Sequence, residues 1–367
     1  MCYSPVGSDA RVSNQIRWLE SAGYRVDVLS RGPEHPDASG RGFRIGYPAL
    51  WVRLATYLLL TPKGRFRGMV ANRLPLAELS REKYELVIVN DHHLVPWLAQ
   101  GVPEFANGPM VLDLHELYAG NGTGFLYRLL HARYDDWLLT FIAAPVFTKW
   151  LTVADGIADI YRDEYGLPRP GVIRNVAPYE ELKPTPVDPE HIVLVHHGYA
   201  AVERGIDIML DAVLLLEARF TLVLMVLGDE RSLAPLRRHP AVATGRVEFR
   251  KPVGVRDVAR ALNDCDLELI FFPPRFPNNT HALPNKFFEA VQGRLGIVIG
   301  ESQEIIPFVR EHKLGIVVAG WEAADLAAAL NRLTAAEIAD MKQAAHEAAL
   351  TLSTRGEGPR FLAEVGA

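Results

Sequence analysis

The sequence predicts an α/β fold made of two doubly wound, parallel-sheet domains. Three observations carry this. The chain has 367 residues, 49% of them hydrophobic, enough for about two cores on the usual length scale of domains. Short apolar runs ending in polar or turn residues alternate with helical patterns through most of it, which is how βα units read. Between two such series lies RNVAPYEELKPTPVDPE (174–190), rich in proline and acid and without a period, the composition of a linker.

Taken in chain order, only MCYSP and a short turn-rich stretch precede the helical pattern RVSNQIRWLESAG (11–23). The first strand of the first series therefore reads as nearly absent, and a natural start upstream is expected. YRVDVLS (24–30), ELVIVND (85–91), MVLDLHE (110–116) and WLTVADG (150–156) are the strands that follow. After the linker, HIVLVHHG (191–198), FTLVLMVLGD (220–229), RVEFRKP (246–252), LELIFFPP (267–274) and LGIVIGE (295–301) make the second series. From Thr334 the pattern TAAEIADMKQAAHEAALTL is helical with no strand after it, so it belongs to no further βα unit. The expected division is 1–183, 184–333, and a helical segment 334–367 crossing back to the first domain.

Composition removes several functions. A formal net charge of -5 argues against a general nucleic-acid surface. Only Cys2 and Cys265 are present, and the apolar setting of Cys265 reads as a packed thiol in a reducing compartment. No signal-peptide order opens the chain, and no apolar run approaches the ~18 residues that span a bilayer. A cytoplasmic protein is expected, with one reservation. From Arg41 to Ala77 seven basic residues and no acid surround the apolar YPALWVRLATYLLL. This segment can lie peripherally on the inner face of an anionic membrane or hold a lipid-linked acceptor; a core helix with a basic rim is the plainer reading.

Ligands of open α/β sheets gather at the carboxyl ends of strands, and phosphates prefer helix N-termini. No Gly-x-Gly-x-x-Gly follows a strand and no P-loop is present, while AGNGTG (119–124) reads as a loop. In LPNKFFEAVQG, Pro284 suits a helix start, Lys286 brings positive charge, and Glu289 lies one turn beyond Asn285 and Lys286. A carboxylate can accept bonds from two neighbouring ribose hydroxyls; a Lys286–Glu289 surface pair is the alternative. In VLVHHGYAAVERGIDIMLDAV, Gly198 marks a turn, and Arg204 and Gly205 stand where the next helix begins, suited to clamp a diphosphate. A solvated helix start at Glu203 and Arg204 competes with that reading. His196 and His197 read as packed or hydrogen-bonded rather than as metal ligands, because a third ligand is not evident. In the first half, Asp91 and His92 in VNDHH, and His115 and Glu116 in LDLHELY, end strands and suit contact with an acceptor or sugar hydroxyl. Loop capping by Asp113 and Glu116 is the plainer alternative.

Together DARV (9–12), NDHHLVP, LDLHELY, TVADGIADIYRDEYGL, RNV, RGIDIMLDA and LPNKFFEA, in this order, resemble the retaining GT-B glycosyltransferases of the group 1 type over nearly the whole chain. The resemblance implies two Rossmann-like domains facing a cleft, with a last helix returning to the first. It implies a nucleotide-diphosphate sugar as donor, bound by Gly198, Arg204, Gly205, Asn285, Lys286 and Glu289, with no cofactor and no obligatory metal. It also implies catalytic roles for His115, His281 and Glu289, and an acceptor side at Asp91, His92 and Glu116. The acceptor would be a glycan or a lipid-linked sugar of cell-envelope polysaccharide or glycolipid synthesis. The family's paired acids eight positions apart become His281 and Glu289 here, so the first lacks fixed negative charge. Two other readings stand beside this one: a nucleotide-sugar epimerase or hydrolase of the same fold, and a non-catalytic nucleotide-sugar-binding or scaffold protein. The sequon-like NNT (278–280) carries little weight.

Overall fold

A computed structural model describes residues 1–7, 9–59, 61–101, 103–117, 131–201, 204–274 and 280–367. The AGNGTG loop, Glu203 and the asparagines of NNT lie outside the described residues. The chain groups into two compact units: Met1–Arg174 together with Gly358–Ala367, and Asn175–Glu357. Each is an α/β unit built on parallel strands.

In the first unit, β1 (Val28–Ser30) pairs with β2 (Gly42–Arg44), and β3 (Val87–Asn90), β4 (Met110–Asp113), β5 (Lys149–Thr152) and β6 (Gly171–Val172) form a four-stranded sheet in that order. β2 and β6 are short strands that periodicity did not mark. The amino terminus joins the two sheets: Cys2 N donates to Leu29 O at 2.8 Å, and Asn90 N donates to Met1 O at 2.8 Å. The stub Met1–Cys2 thus holds the place of a first strand, beside a cavity of about 610 Å³ lined by Gln15, Ile16, Tyr24, Val26, Tyr84 and Leu86 among others. The helix Ala10–Ser21 starts where Asp9 accepts from the amides of Arg11 and Val12 at 3.0 and 3.1 Å, as an N-cap should. Across its other face Trp18 meets Phe361 of the last helix, Thr354–Val365, with ring centroids 5.1 Å apart. That contact is the returning helix the sequence led one to expect, and it begins to count with the first unit only from Gly358.

The second unit is a six-stranded parallel sheet in the order β12 (Gly315–Val317), β11 (Gly296–Ile299), β10 (Leu267–Ile270), β7 (Ile192–Tyr199), β8 (Phe220–Leu227), β9 (Val247–Phe249). Every residue of β10 and β11 is buried, as expected of strands covered on both faces. The strand order reverses between β7 and β10, which makes the crevice beyond their carboxyl ends the natural ligand position. The helix Ala335–Ala348 is set by a capping box of Thr334 and Glu337. It stays with this unit through buried Lys342, whose Nζ donates to Asp266 Oδ1 at 2.7 Å, Thr185 Oγ1 at 2.8 Å and Cys265 O at 2.9 Å. Both cysteines are buried free thiols. Among the described residues no helix is long and apolar enough to cross a membrane.

Candidate functional site

At the reversal point of the second unit, β7 delivers His196, His197 and Gly198, β10 delivers Glu268, and Phe271 and Phe272 follow β10. Gly198 has φ 117°, and a Cβ there would stand 3.3 Å from Lys286 Nζ. Gly205 has φ 64° and would push a Cβ to 2.5 Å from Phe271 O. Both positions need glycine for backbone conformation, and Gly205 also for room. Gly205 is the N-cap of the helix Ile206–Leu215, so Arg204 does stand at a helix start. The second helix, Asn285–Gly293, begins one residue after Pro284, and no side chain caps its first turn.

Two cations share one ring here. The Arg204 guanidinium lies 4.7 Å and Lys286 Nζ 4.8 Å from the centroid of Phe272. Lys286 is only 8% exposed. Its Nζ donates to His197 O and lies 3.3 Å from His196 Nε2, whose other nitrogen, Nδ1, lies 2.8 Å from Leu269 O. His196 can therefore serve as a neutral ring with its proton on Nδ1. Burial drives Lys286 down to about 7, against the opposing pull of the Glu268 and Glu289 carboxylates.

Glu289 does not pair with Lys286 across the surface. Its Oε2 accepts from His197 Nε2 at 2.9 Å, and His197 Nδ1 contacts Glu268 Oε2 at 3.0 Å. Burial alone would lower the His197 pKa, but the charge and hydrogen bond of Glu268, with the bond to Glu289, raise it to about 9. Asn285 is exposed at the helix start. His281 stands apart from this network in its bonding, with Nδ1 3.5 Å from Glu304 Oε1.

The first unit carries a second cluster where β3 and β4 end. Asp91 has φ 71° and ψ 162°, a backbone region nearly reserved for glycine that costs about 1–3 kcal/mol. It is held there by its amide on Asp113 O at 3.2 Å and by its Oδ1, 2.9 Å from His115 Nε2. Burial would lower the His115 pKa, yet Asp91 and the nearby Asp113 raise it to about 9, and Nδ1 is buried with no hydrogen-bond partner among the described residues. His92 is 3% exposed and is driven down to about 3 by burial and by His93, so it is a neutral ring. Glu116 is exposed, and its carbonyl accepts from Tyr161 Oη at 2.8 Å. Beneath lies Asp113, fully buried. Arg11 grips it with Nε on Oδ2 and Nη2 on Oδ1, both at 2.7 Å, and donates Nη1 to Ile173 O at 2.6 Å. Gln15 Nε2 also donates to Asp113.

Sequence reasoning missed Glu268, Phe272 and the Arg11–Asp113 pair. Glu268 had a signal: a lone carboxylate within the buried run DLELIFF needs a cation or a donor. Among the described residues no group of three or more His, Cys, Asp or Glu is arranged to hold a metal ion.

Comparison with known proteins agrees with this architecture. Residues 7–178 match the family model Glycosyltransferase Family 4, and residues 191–336 match Glycosyl transferases group 1. Among solved structures, WaaG, a glycosyltransferase involved in lipopolysaccharide biosynthesis, is similar with a TM-score of 0.71 at 15% identity, covering 100% of this chain and 98% of that one. Sucrose-phosphate synthase from Thermosynechococcus elongatus gives 0.72 at 16%, covering 98% and 96%. The pneumococcal O-GlcNAc transferase GtfA, in complex with UDP and GlcNAc, gives 0.58 at 12%, covering 81% and 60%. These likenesses establish the GT-B fold. None of the curated proteins compared matches the sequence.

Proposed function

We propose that this chain, a family 4 glycosyltransferase domain followed by a group 1 domain, moves a sugar from a nucleotide-diphosphate donor to an acceptor hydroxyl with retention of configuration. One observation carries the donor half: Arg204 and Lys286 lie 4.7 and 4.8 Å from the centroid of the Phe272 ring, beyond the carboxyl ends of β7 and β10, with Glu289 one turn further along the helix from Lys286. A diphosphate between these cations gains charge-assisted bonds, and an environment that desolvates Lys286 strengthens them. Glu289 then accepts from the ribose hydroxyls.

In this reading the departing diphosphate is the group whose charge grows in the transition state, and Arg204 and Lys286 stabilise it there. The acceptor hydroxyl attacks C1 on the face the diphosphate leaves, and the leaving phosphate takes its proton. The Nδ1 of His115, without a hydrogen-bond partner among the described residues, donates to a sugar hydroxyl, and His281 orients a hydroxyl of the donor sugar. No resident cofactor or metal is required, because the two cations supply the charge. Asp91 and Glu116 form the acceptor side, with His92 packed beneath. GtfA holds UDP, which puts UDP-sugars first among donors to test.

The acceptor reading rests on the segment 41–77. Tyr47, Leu50, Trp51 and Leu54 are 59, 68, 73 and 55% exposed, and Arg44, Lys63 and Arg67 are exposed in the same stretch. Such a surface suits an anionic membrane carrying a lipid-linked acceptor of envelope glycan synthesis. Sedimentation with anionic vesicles should fall for Leu50→Ser with Trp51→Ser; equal binding by wild type and variant removes this contact.

The function is tested by release of nucleoside diphosphate from UDP-, GDP-, ADP- and dTDP-hexoses, with and without glycan and lipid-linked acceptors, and by proton NMR of the product's anomeric centre. Acceptor-dependent release with a retained anomer supports transfer. Acceptor-independent release points to hydrolysis, and none across the panel contradicts the reading.

A further inference from the structure

The core of the second unit spends a carboxylate where an apolar side chain would pack at no cost. Glu268 sits in the middle of β10 with 0% exposure, and its Oε2 faces His197 Nδ1. An ionised carboxylate in such a place costs several kcal/mol unless it is paired. His197, 4% exposed, is its partner and reaches through the ring to Glu289. A carboxylate oxygen only accepts, so with both acids ionised both ring nitrogens must donate, and His197 is an imidazolium. The titratable and charged groups facing it are Glu268 from β10, Lys286 and Glu289 from the helix Asn285–Gly293, and the neutral ring of His196 on its own strand; Arg204 lies beyond, over Phe272. Through His197 a fully buried acid is thus joined to a residue of the proposed donor site.

The geometry points to His197 as the positioning residue of that site: anchored by Glu268, its imidazolium holds Glu289 by Oε2 and leaves Oε1 for the donor's ribose diol. The inference rests on the donor reading and extends it. Without the clamp, Glu289 is free to swing one turn along its helix toward Lys286, which would set it against the diphosphate cation instead of the ribose. With the clamp, ribose recognition has an upper pH limit set by a residue that does not touch the ligand. Because both nitrogens are engaged in holding acids, His197 does not act as an acid or base on the substrate.

The test compares binding of ADP, GDP and UDP with that of their 2′,3′-dideoxy counterparts from pH 6 to 10.5, in the full chain, His197→Gln and Glu268→Gln. The ratio of the two affinities isolates the ribose contact, since Lys286 and Arg204 act on the diphosphate common to both. For wild type the ratio should be large below pH 8 and collapse through about 9. His197→Gln should lose at least about tenfold of it, the worth of one charge-assisted hydrogen bond. Glu268→Gln should keep the ratio at pH 6 and lose it at lower pH than wild type, a shift that a merely structural role would not produce. If His197→Gln does not fold, the wild-type and Glu268→Gln profiles decide alone. A ratio unchanged in the variants and flat to pH 10.5 overturns the clamp and leaves the donor reading standing. Absence of binding by any of the three nucleotides to the wild-type chain overturns both.

Discussion

Two histidines, one at each sheet edge, are raised to about 9 by neighbouring carboxylates, and they differ in what their second nitrogen does. His197 in the second unit gives Nδ1 to Glu268 and Nε2 to Glu289. His115 in the first unit gives Nε2 to Asp91, while its Nδ1 has no hydrogen-bond partner among the described residues. A ring with both nitrogens taken can hold its neighbours in place; a ring with one nitrogen open can also donate to a ligand. The supports differ in the same sense. Asp91 is kept on an unfavourable backbone, whereas Glu268 lies in regular strand. Strain of that kind survives only where surrounding structure fixes it, and here the buried Arg11–Asp113 pair lies directly beneath.

The most severe way to break this contrast is to strand Arg11. Asp113→Ala leaves a buried guanidinium without its bidentate partner, and urea unfolding should show a loss of about 3–5 kcal/mol. Asp91→Gly should cost much less, because relief of about 1–3 kcal/mol of backbone strain offsets the lost His115 contact. Equal losses for the two would mean that Asp91 is not strained. Next in size, Arg204→Ala should weaken nucleoside diphosphates about 10- to 100-fold by calorimetry and nucleosides little. Equal losses would remove Arg204 from the diphosphate.

A finer change is in proton binding. The raised pKa of His115 means that its stabilising contribution is fully present below its ordinary value of 6.5 and is lost as pH rises through about 9. Asp91→Asn should bring the His115 titration, followed by NMR, down toward the ordinary range and flatten that loss. An unchanged titration would assign the shift elsewhere. Smallest is the proton that Lys286 takes up. Starting from a pKa near 7, an amine that meets a diphosphate at pH 8 should bind up to about one proton and become an ammonium, seen as a buffer-dependent calorimetric heat. No buffer dependence would place the phosphates away from Lys286.

Much of the fold was legible because the pattern that marks a βα unit is local: an apolar run, a turn, a 3.6-residue period. It failed where strands are two or three residues long, as in β2 and β6, since so short a run has no period to read. Gly198 and Gly205 at the second unit's sheet edge were legible for a related reason, as turn residues after a strand. What the sequence could not show was pairing across distance. The Lys286–Glu289 spacing left a surface ion pair as the alternative to a ligand contact, and the fold gave Glu289 to His197, 92 positions away, because β7 and β10 lie side by side. Asp113 looked like a loop cap until Arg11, 102 positions earlier, was brought beneath it. Glu289→Gln is for this reason a better probe than removal of the side chain, since it keeps an acceptor for His197.

The proposed binding of a nucleoside diphosphate at the second unit's sheet edge is read out most directly by thermal unfolding of the purified chain with UDP, GDP, ADP and dTDP, alone and as sugar conjugates. A ligand that binds only the folded state must raise its apparent stability. A saturable rise in unfolding temperature is expected for one base above the others, reduced in Arg204→Ala and in Glu289→Gln. A cooperative unfolding transition that none of the four shifts would contradict it.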